Sequence, residues 1–146
     1  KMKKLLLILL CLPMIGFGQI GKTTTIPESV HVGYNNNFTK FHSLSYYVKE
    51  DGTKRYTLHF RNMLYQHLDT YDSFSFNATD KELEYVFNFF KEQIKNEQTK
   101  ILDIGGNTIT ASKLGKGVNI SNISDGVLDN HFWLMKKDLE RLFGKR

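Results

Sequence analysis

From residue 41 the chain alternates apolar and polar side chains with a period of two. His42, Leu44, Tyr46 and Val48 fall on one side and Ser43, Ser45, Tyr47 and Lys49 on the other, which predicts a half-buried strand. Glu50-Asp51-Gly52-Thr53 follows, and its Asp-Gly pair accepts the positive φ of a tight hairpin turn. Tyr56, Leu58 and Phe60 then alternate with Thr57, His59 and Arg61 as the return strand. A third strand is expected to run to Phe74 and Phe76, bulged around residues 67–71. There the period changes. Leu83, Val86, Phe87, Phe90 and Ile94 recur at helical spacing behind Thr79, and Glu82 stands where it completes a capping box. A helix is predicted over about 79–96.

The second half follows a similar outline. Ile101, Leu102 and Ile104 make a short strand, Gly105-Gly106-Asn107 a turn, and residues 108–112 the return. Gly115 and Gly117 punctuate the next turn, Val118 and Ile120 alternate with polar neighbours, and Phe132–Leu134 lead into a short helix carrying Leu139, Leu142 and Phe143. Glu82–Phe87 and Asp138–Phe143 align at an offset of 56 residues, as do Phe76 and Phe132. A tandem strand-strand-strand-helix repeat explains this, and so does chance likeness between two amphipathic helices. The fold class expected is α+β: one two-layer domain over 41–146, mostly antiparallel sheet, with the 79–96 helix across one face and the C-terminal helix beside it. Leu83, Val86, Phe87 and Phe90 should face Tyr56, Leu58, Phe60, Phe74 and Phe76.

The N-terminal residues break this pattern. Met2-Lys3-Lys4 and the apolar run from Leu5 to Ile15 are a basic region and a hydrophobic region, and Gly16-Phe17-Gly18 places small residues ahead of Gln19. Residues 1–18 therefore read as a secretory signal peptide cut between Gly18 and Gln19. Residues 19–40 read as a polar, irregular lead-in with a short strand near Val30–Val32. Removing the leader takes 20 basic side chains to 17 against 15 acidic, and the net charge from +5 to +2. It also removes Cys11, the single cysteine, and with it thiol chemistry. A charge of +2 gives no footprint for nucleic acid.

Chemistry-bearing patterns are few. Gly16-Phe17-Gly18-Gln19-Ile20-Gly21-Lys22-Thr23 matches a phosphate-binding loop, and Asp103-Ile104-Gly105-Gly106 resembles its metal-contacting partner. The context argues against a nucleotide: the loop must open a helix, yet Thr23-Thr24-Thr25-Ile26-Pro27 is β-branched and closed by proline. His31, His42, His59, His67 and His131 include no helix-borne zinc pair, so no cofactor or metal is expected. His59 and Arg61 share the polar face of a strand, within reach of Asp69 or Asp72, and Tyr47 lies on a polar face too. Tyr47, His59, Arg61 and His67 are the candidate binding residues, and a solvated strand face is the plainer account of them.

The leader, Met2-Lys3-Lys4-Leu5 through Phe17-Gly18-Gln19, resembles secretory signals common in Bacteroidota. Tyr56–Asn62, Ser73–Thr79 and Leu142–Lys145 resemble stretches of small exported proteins of that phylum. The resemblance implies a compartment and carries no activity. The expected function is a non-catalytic binding module of the periplasm or cell surface: an inhibitor, an immunity-type protein or an accessory of an envelope complex. Its partner would be another envelope protein, with membrane contact only through the leader. The alternative is a small exported hydrolase using His59 or His67 with a nearby aspartate.

Overall fold

The computed structural model describes residues 27–37 and 40–145. The expected signal peptide, its expected Gly18–Gln19 cleavage pair and the Gly16–Thr23 motif lie outside the described residues. Among the described residues the fold is α+β, with two antiparallel four-stranded sheets and two helices. The first sheet joins β1 (Val30–Asn37), β2 (Lys40–Val48), β3 (Lys54–Arg61) and β4 (Tyr71–Asn77) in that order. After α1 (Asp80–Gln93), β5 (Lys100–Ile104), β6 (Asn107–Leu114), β7 (Gly117–Ser124) and β8 (Val127–Met135) form the second. α2 (Lys136–Leu142) closes the chain.

Three differences from the sequence-based expectation have physical causes. There are two sheets, each with its own pairing, where one was expected. Residues assigned to an irregular lead-in instead supply β1, paired from Val30 opposite Tyr46 to Asn37 opposite Lys40. Backbone hydrogen bonds make that ladder, so the polar run Asn35–Asn37 does not forbid it. Finally, α1 lies against β6, β7 and α2, while α2 lies against β1, β2 and β8. Each helix thus reaches the sheet of the other half. β6 turns Ile109 and the small Ala111 to the core, which leaves room for the phenylalanines of α1.

Thr79 caps α1: its hydroxyl accepts from Glu82 N at 3.3 Å, while Glu82 Oε2 accepts from Thr79 N at 2.7 Å. The helix ends at Gln93, short of the expected 96. Val86, Phe87 and Phe90 are buried, whereas Leu83 sits at the margin of the core.

The core is continuous between the sheets. Register rows on the inner face of the first sheet are Tyr46–Tyr56–Phe76, Leu44–Leu58–Phe74 and His42–Phe60–Asp72. The second sheet contributes Ala111–Ile120–Phe132 and Val118–Leu134. Phe132 stacks on Phe60 with centroids 4.3 Å apart and meets His42 at 5.3 Å. Gly33 permits the other long-range join. A Cβ there would lie 2.0 Å from the Arg141 carbonyl oxygen, so only glycine lets the end of α2 rest on β1.

Candidate binding face

Since one face of each strand pays into the core, the other is left to solvent. Across the first sheet the outer rows are Tyr47–Arg55–Asn77, Ser45–Thr57–Ser75, Tyr34–Ser43–His59–Ser73 and Arg61–Tyr71. The pattern is systematic: hydroxyls fill the middle, Arg55, His59 and Arg61 run along β3, and three tyrosines stand around them. Tyr34 is 65 % exposed and Tyr71 56 % exposed, while Tyr47 is half-buried. Thr57 Oγ1 and Ser75 Oγ lie 2.9 Å apart and tie β3 to β4 across this face. Arg61 Nη2 meets Asp69 at 2.8 Å, which anchors the loop between β3 and β4 to the sheet.

Tyr47, His59 and Arg61 thus occupy one face of one sheet, and His67 does not. His67 lies in the loop of residues 62–70, exposed beside Tyr65 and Leu68 in a shallow concavity of about 410 Å³. That loop is held by the second sheet: Met63 N donates to the His131 carbonyl at 2.8 Å, and Asn62 Oδ1 accepts from His131 N at 3.4 Å. His59 stands between Ser43 and Ser73 in the register, and Asp72, in the next row, belongs to the opposite face. Among the described residues no hydrogen bond joins His59 or His67 to a carboxylate or a serine. Arg55, Tyr34 and Tyr71 belong to the face but were not singled out from sequence. The signal for Arg55 was its shared parity with His59 and Arg61.

A larger concavity, about 590 Å³, lies elsewhere, between the β2–β3 turn and the start of α1. Its charged groups are occupied by the fold. Lys54 Nζ donates to both Asp80 oxygens at 2.7 and 2.9 Å, and Tyr56 Oη donates to Oδ1 at 3.0 Å. These bonds, the lysine's first, hold the Asp80 carboxyl below its ordinary value and the Lys54 ammonium above its own. Burial, then the bond to Asp80, raises the Tyr56 phenol. Glu82 is likewise lowered by the Thr79 backbone N–H and hydroxyl. Asp51 is lowered by the Thr53 hydroxyl and then its backbone N–H. The site works as a clamp on the helix start.

Asp103–Gly106, the second half of the nucleotide-like motif, forms the end of β5 and its turn into β6. Gly105 there packs against Phe76, where a Cβ would approach the Phe76 side chain to 2.7 Å. The motif is a joint between the two sheets. Among the described residues no group of three or more His, Cys, Asp or Glu could hold a metal ion, and no helix is long and apolar enough to cross a membrane. No known protein family matches the chain, nor does any curated protein or solved structure.

Proposed function

We propose that the protein is an exported, non-catalytic binding module of the periplasm or cell surface that engages another envelope protein through the outer face of its first sheet. The observation that carries this reading is the composition of that face. Arg55 and His59 project from β3 among hydroxyls and tyrosines, on strands whose opposite side is locked in the core. Tyrosine supplies contact area at modest entropic cost and arginine supplies charge, and both are enriched at recognition hot spots. A rigid sheet presents them without rearrangement. The partner surface that fits is acidic and carries groups able to stack on Tyr34, Tyr47 or Tyr71. Catalysis would require a histidine set against a carboxylate or hydroxyl in a concave site, whereas His59 stands on an open sheet.

The test is capture from an envelope extract with the mature chain, read beside hydrolysis of a panel of ester, peptide and glycosidic substrates. One stoichiometric protein partner, released by Arg55→Gln/His59→Gln, supports the proposal. Turnover of a substrate that is lost in His59→Ala overturns it in favour of the hydrolase.

We further propose that the two halves descend from one duplicated unit, of four strands and a helix rather than three. β4 and α1 begin at Tyr71 and Asp80, and β8 and α2 at Val127 and Lys136, both 56 residues on. The longer β3–β4 loop of the first half, 62–70 against 125–126, accounts for the offset of 63 between the starts of β3 and β7, and the longer β2–β3 turn, 49–53 against 115–116, adds to it for the earlier strands. A circular permutant opened between α1 and β5 tests it. Gly144 lies against Val32, so the new join is short, and a folded permutant is expected where collapse would contradict interchangeable units.

A further inference from the structure

Each sheet ends in two edge strands, and a bare edge offers its free N–H and C=O groups to other chains. Among the described residues three of the four edges are managed by the fold itself. On β4, the Ser75 carbonyl accepts from Asn107 Nδ2 at 3.2 Å. On β8, the His131 carbonyl accepts from Met63 N at 2.8 Å, and its N–H donates to Asn62 Oδ1 at 3.4 Å. β1 carries a bulge between His31 and Gly33, and the end of α2 rests on it.

β5 differs from all three. Its register with β6 runs unbroken from Lys100 opposite Ala111 to Ile104 opposite Asn107. A two-residue turn closes on Ile104 and Asn107, so this pair exchanges its hydrogen bonds and alternation directs the N–H and C=O of Ile101 and Asp103 outward. Among the described residues no hydrogen bond reaches those outward groups. The side chains stop short of a finished layer as well. Ile101 is 63 % exposed on the outer face, and on the inner face Leu102 and Ile104 pack against the core while staying only partly buried. A further strand would satisfy the backbone groups and cover both faces.

The charges select which strand. Lys100 opens β5 and Asp103 stands near its end, and such charges guard an edge against indiscriminate pairing. In an antiparallel pair, outward-pointing residues must oppose one another. A register that sets Asp103 against its own copy opposes like charges. Setting Ile101 against the Asp103 of a second copy avoids this. It overlaps all five residues of β5, brings the Lys100 end of one strand beside the Asp103 end of the other, and places Leu102 against the partner's Leu102.

We propose that β5 is a homodimerisation edge: two copies pair their β5 strands antiparallel about a two-fold axis at Leu102, joining their second sheets into one. The contact is isologous, so it closes at two copies. It forms about four backbone hydrogen bonds and extends the aliphatic layer of each core across the axis. Such a small interface gives a weak, concentration-dependent dimer.

Sedimentation velocity on the purified mature protein tests it, between about 10 μM and about 1 mM. The protein should pass from monomer to dimer over that range and grow no further. Ile101→Pro removes an outward N–H without touching the ladder to β6, so it should weaken the dimer roughly 30-fold while circular dichroism shows the native fold. Leu102→Glu and Leu102→Lys should each be monomeric, because like charges then meet on the axis. Mixed in equal amounts, these two variants should dimerise again. Amide hydrogen exchange at Ile101 and Asp103 should slow as concentration rises, while that of Leu102, bonded within its own sheet, stays constant. Arg55→Gln/His59→Gln should leave the dimer unchanged, which separates this edge from the face proposed for the envelope partner. A monomer throughout, assembly beyond two copies, a dimer indifferent to Ile101→Pro, or a Leu102→Glu and Leu102→Lys mixture that stays monomeric overturns the proposal. Loss of the dimer in Arg55→Gln/His59→Gln, or amide exchange at Ile101 that ignores concentration, overturns it too.

Discussion

The two sheets share a strand order and a pairing pattern but not a chemistry. Inside, the first is aromatic, with Tyr46, Tyr56, Phe60, Phe74 and Phe76, and the second is aliphatic apart from Phe132. Outside, the first displays Arg55, His59, Arg61 and three tyrosines, and the second a mixture of Thr110, Asn119, Ile101, Leu128 and Trp133. Their connections differ as well. Residues 62–70 link β3 to β4, whereas Asp125-Gly126 suffice between β7 and β8. Architecture constrains the inner faces of both sheets. Only the outer faces and loops are free to diverge.

Phe132 offers the sharpest way to break the comparison, because it is the aromatic lent by the aliphatic sheet to the other. It is 1 % exposed and stacks on Phe60. Phe132→Ala is expected to lower unfolding stability by about 3–5 kcal/mol in urea titration. The transition should remain single, since the two sheets share one core; two separate transitions would show independent halves.

Next in size is Gly33→Ala, where the new methyl group meets the carbonyls of Arg141 and Leu142. A shift of α2 off β1 should cost about 1–3 kcal/mol by the same measurement. The helix starts give smaller, opposed effects. Thr79→Ala removes the cap of α1 and should cost about 1 kcal/mol. Met135→Ser offers α2 the cap it lacks and should raise the thermal midpoint slightly.

These positions also show what was legible in the sequence. The capping box at Thr79 and the period-two runs around Leu44 and Leu58 are local signals, and their elements formed close to where they were read. β1 was under-read because Asn35–Asn37 lack apolar alternation, and strand pairing does not need it. Helix exchange between the halves was invisible, since it depends on how Gly33 and Ala111 accommodate helices distant in sequence. Of the candidate residues, parity on β3 put His59 and Arg61 on one face. His67 lay in a loop, where periodicity carries no direction. Tyr34 and Tyr71 joined the face only through the register.

The smallest effects are titrations, one in each half. In the second, burial lowers the His131 pKa from its ordinary 6.5. The unfolded chain then takes up the proton first, so this contribution is present above 6.5 and is lost as pH falls through the folded value. In the first, Asp80 and Glu82 are depressed from 3.8 and 4.5, so theirs holds above those values and disappears in stronger acid. Urea midpoints measured from neutral pH downward should fall in two stages. His131→Gln should flatten the upper stage alone, and Asp80→Asn/Glu82→Gln the lower.

The central claim is that the protein-binding surface belongs to the first sheet. Its most direct test is to compare partner affinity for the wild type, Arg55→Gln/His59→Gln on the first sheet and Ile101→Gln/Leu128→Gln on the second. All four positions are exposed, and such surface changes are expected to alter stability by only about 0.5 kcal/mol. The account predicts that the first pair abolishes capture of the envelope partner and that the second pair leaves it intact. Capture that survives Arg55→Gln/His59→Gln and is lost with Ile101→Gln/Leu128→Gln would contradict it.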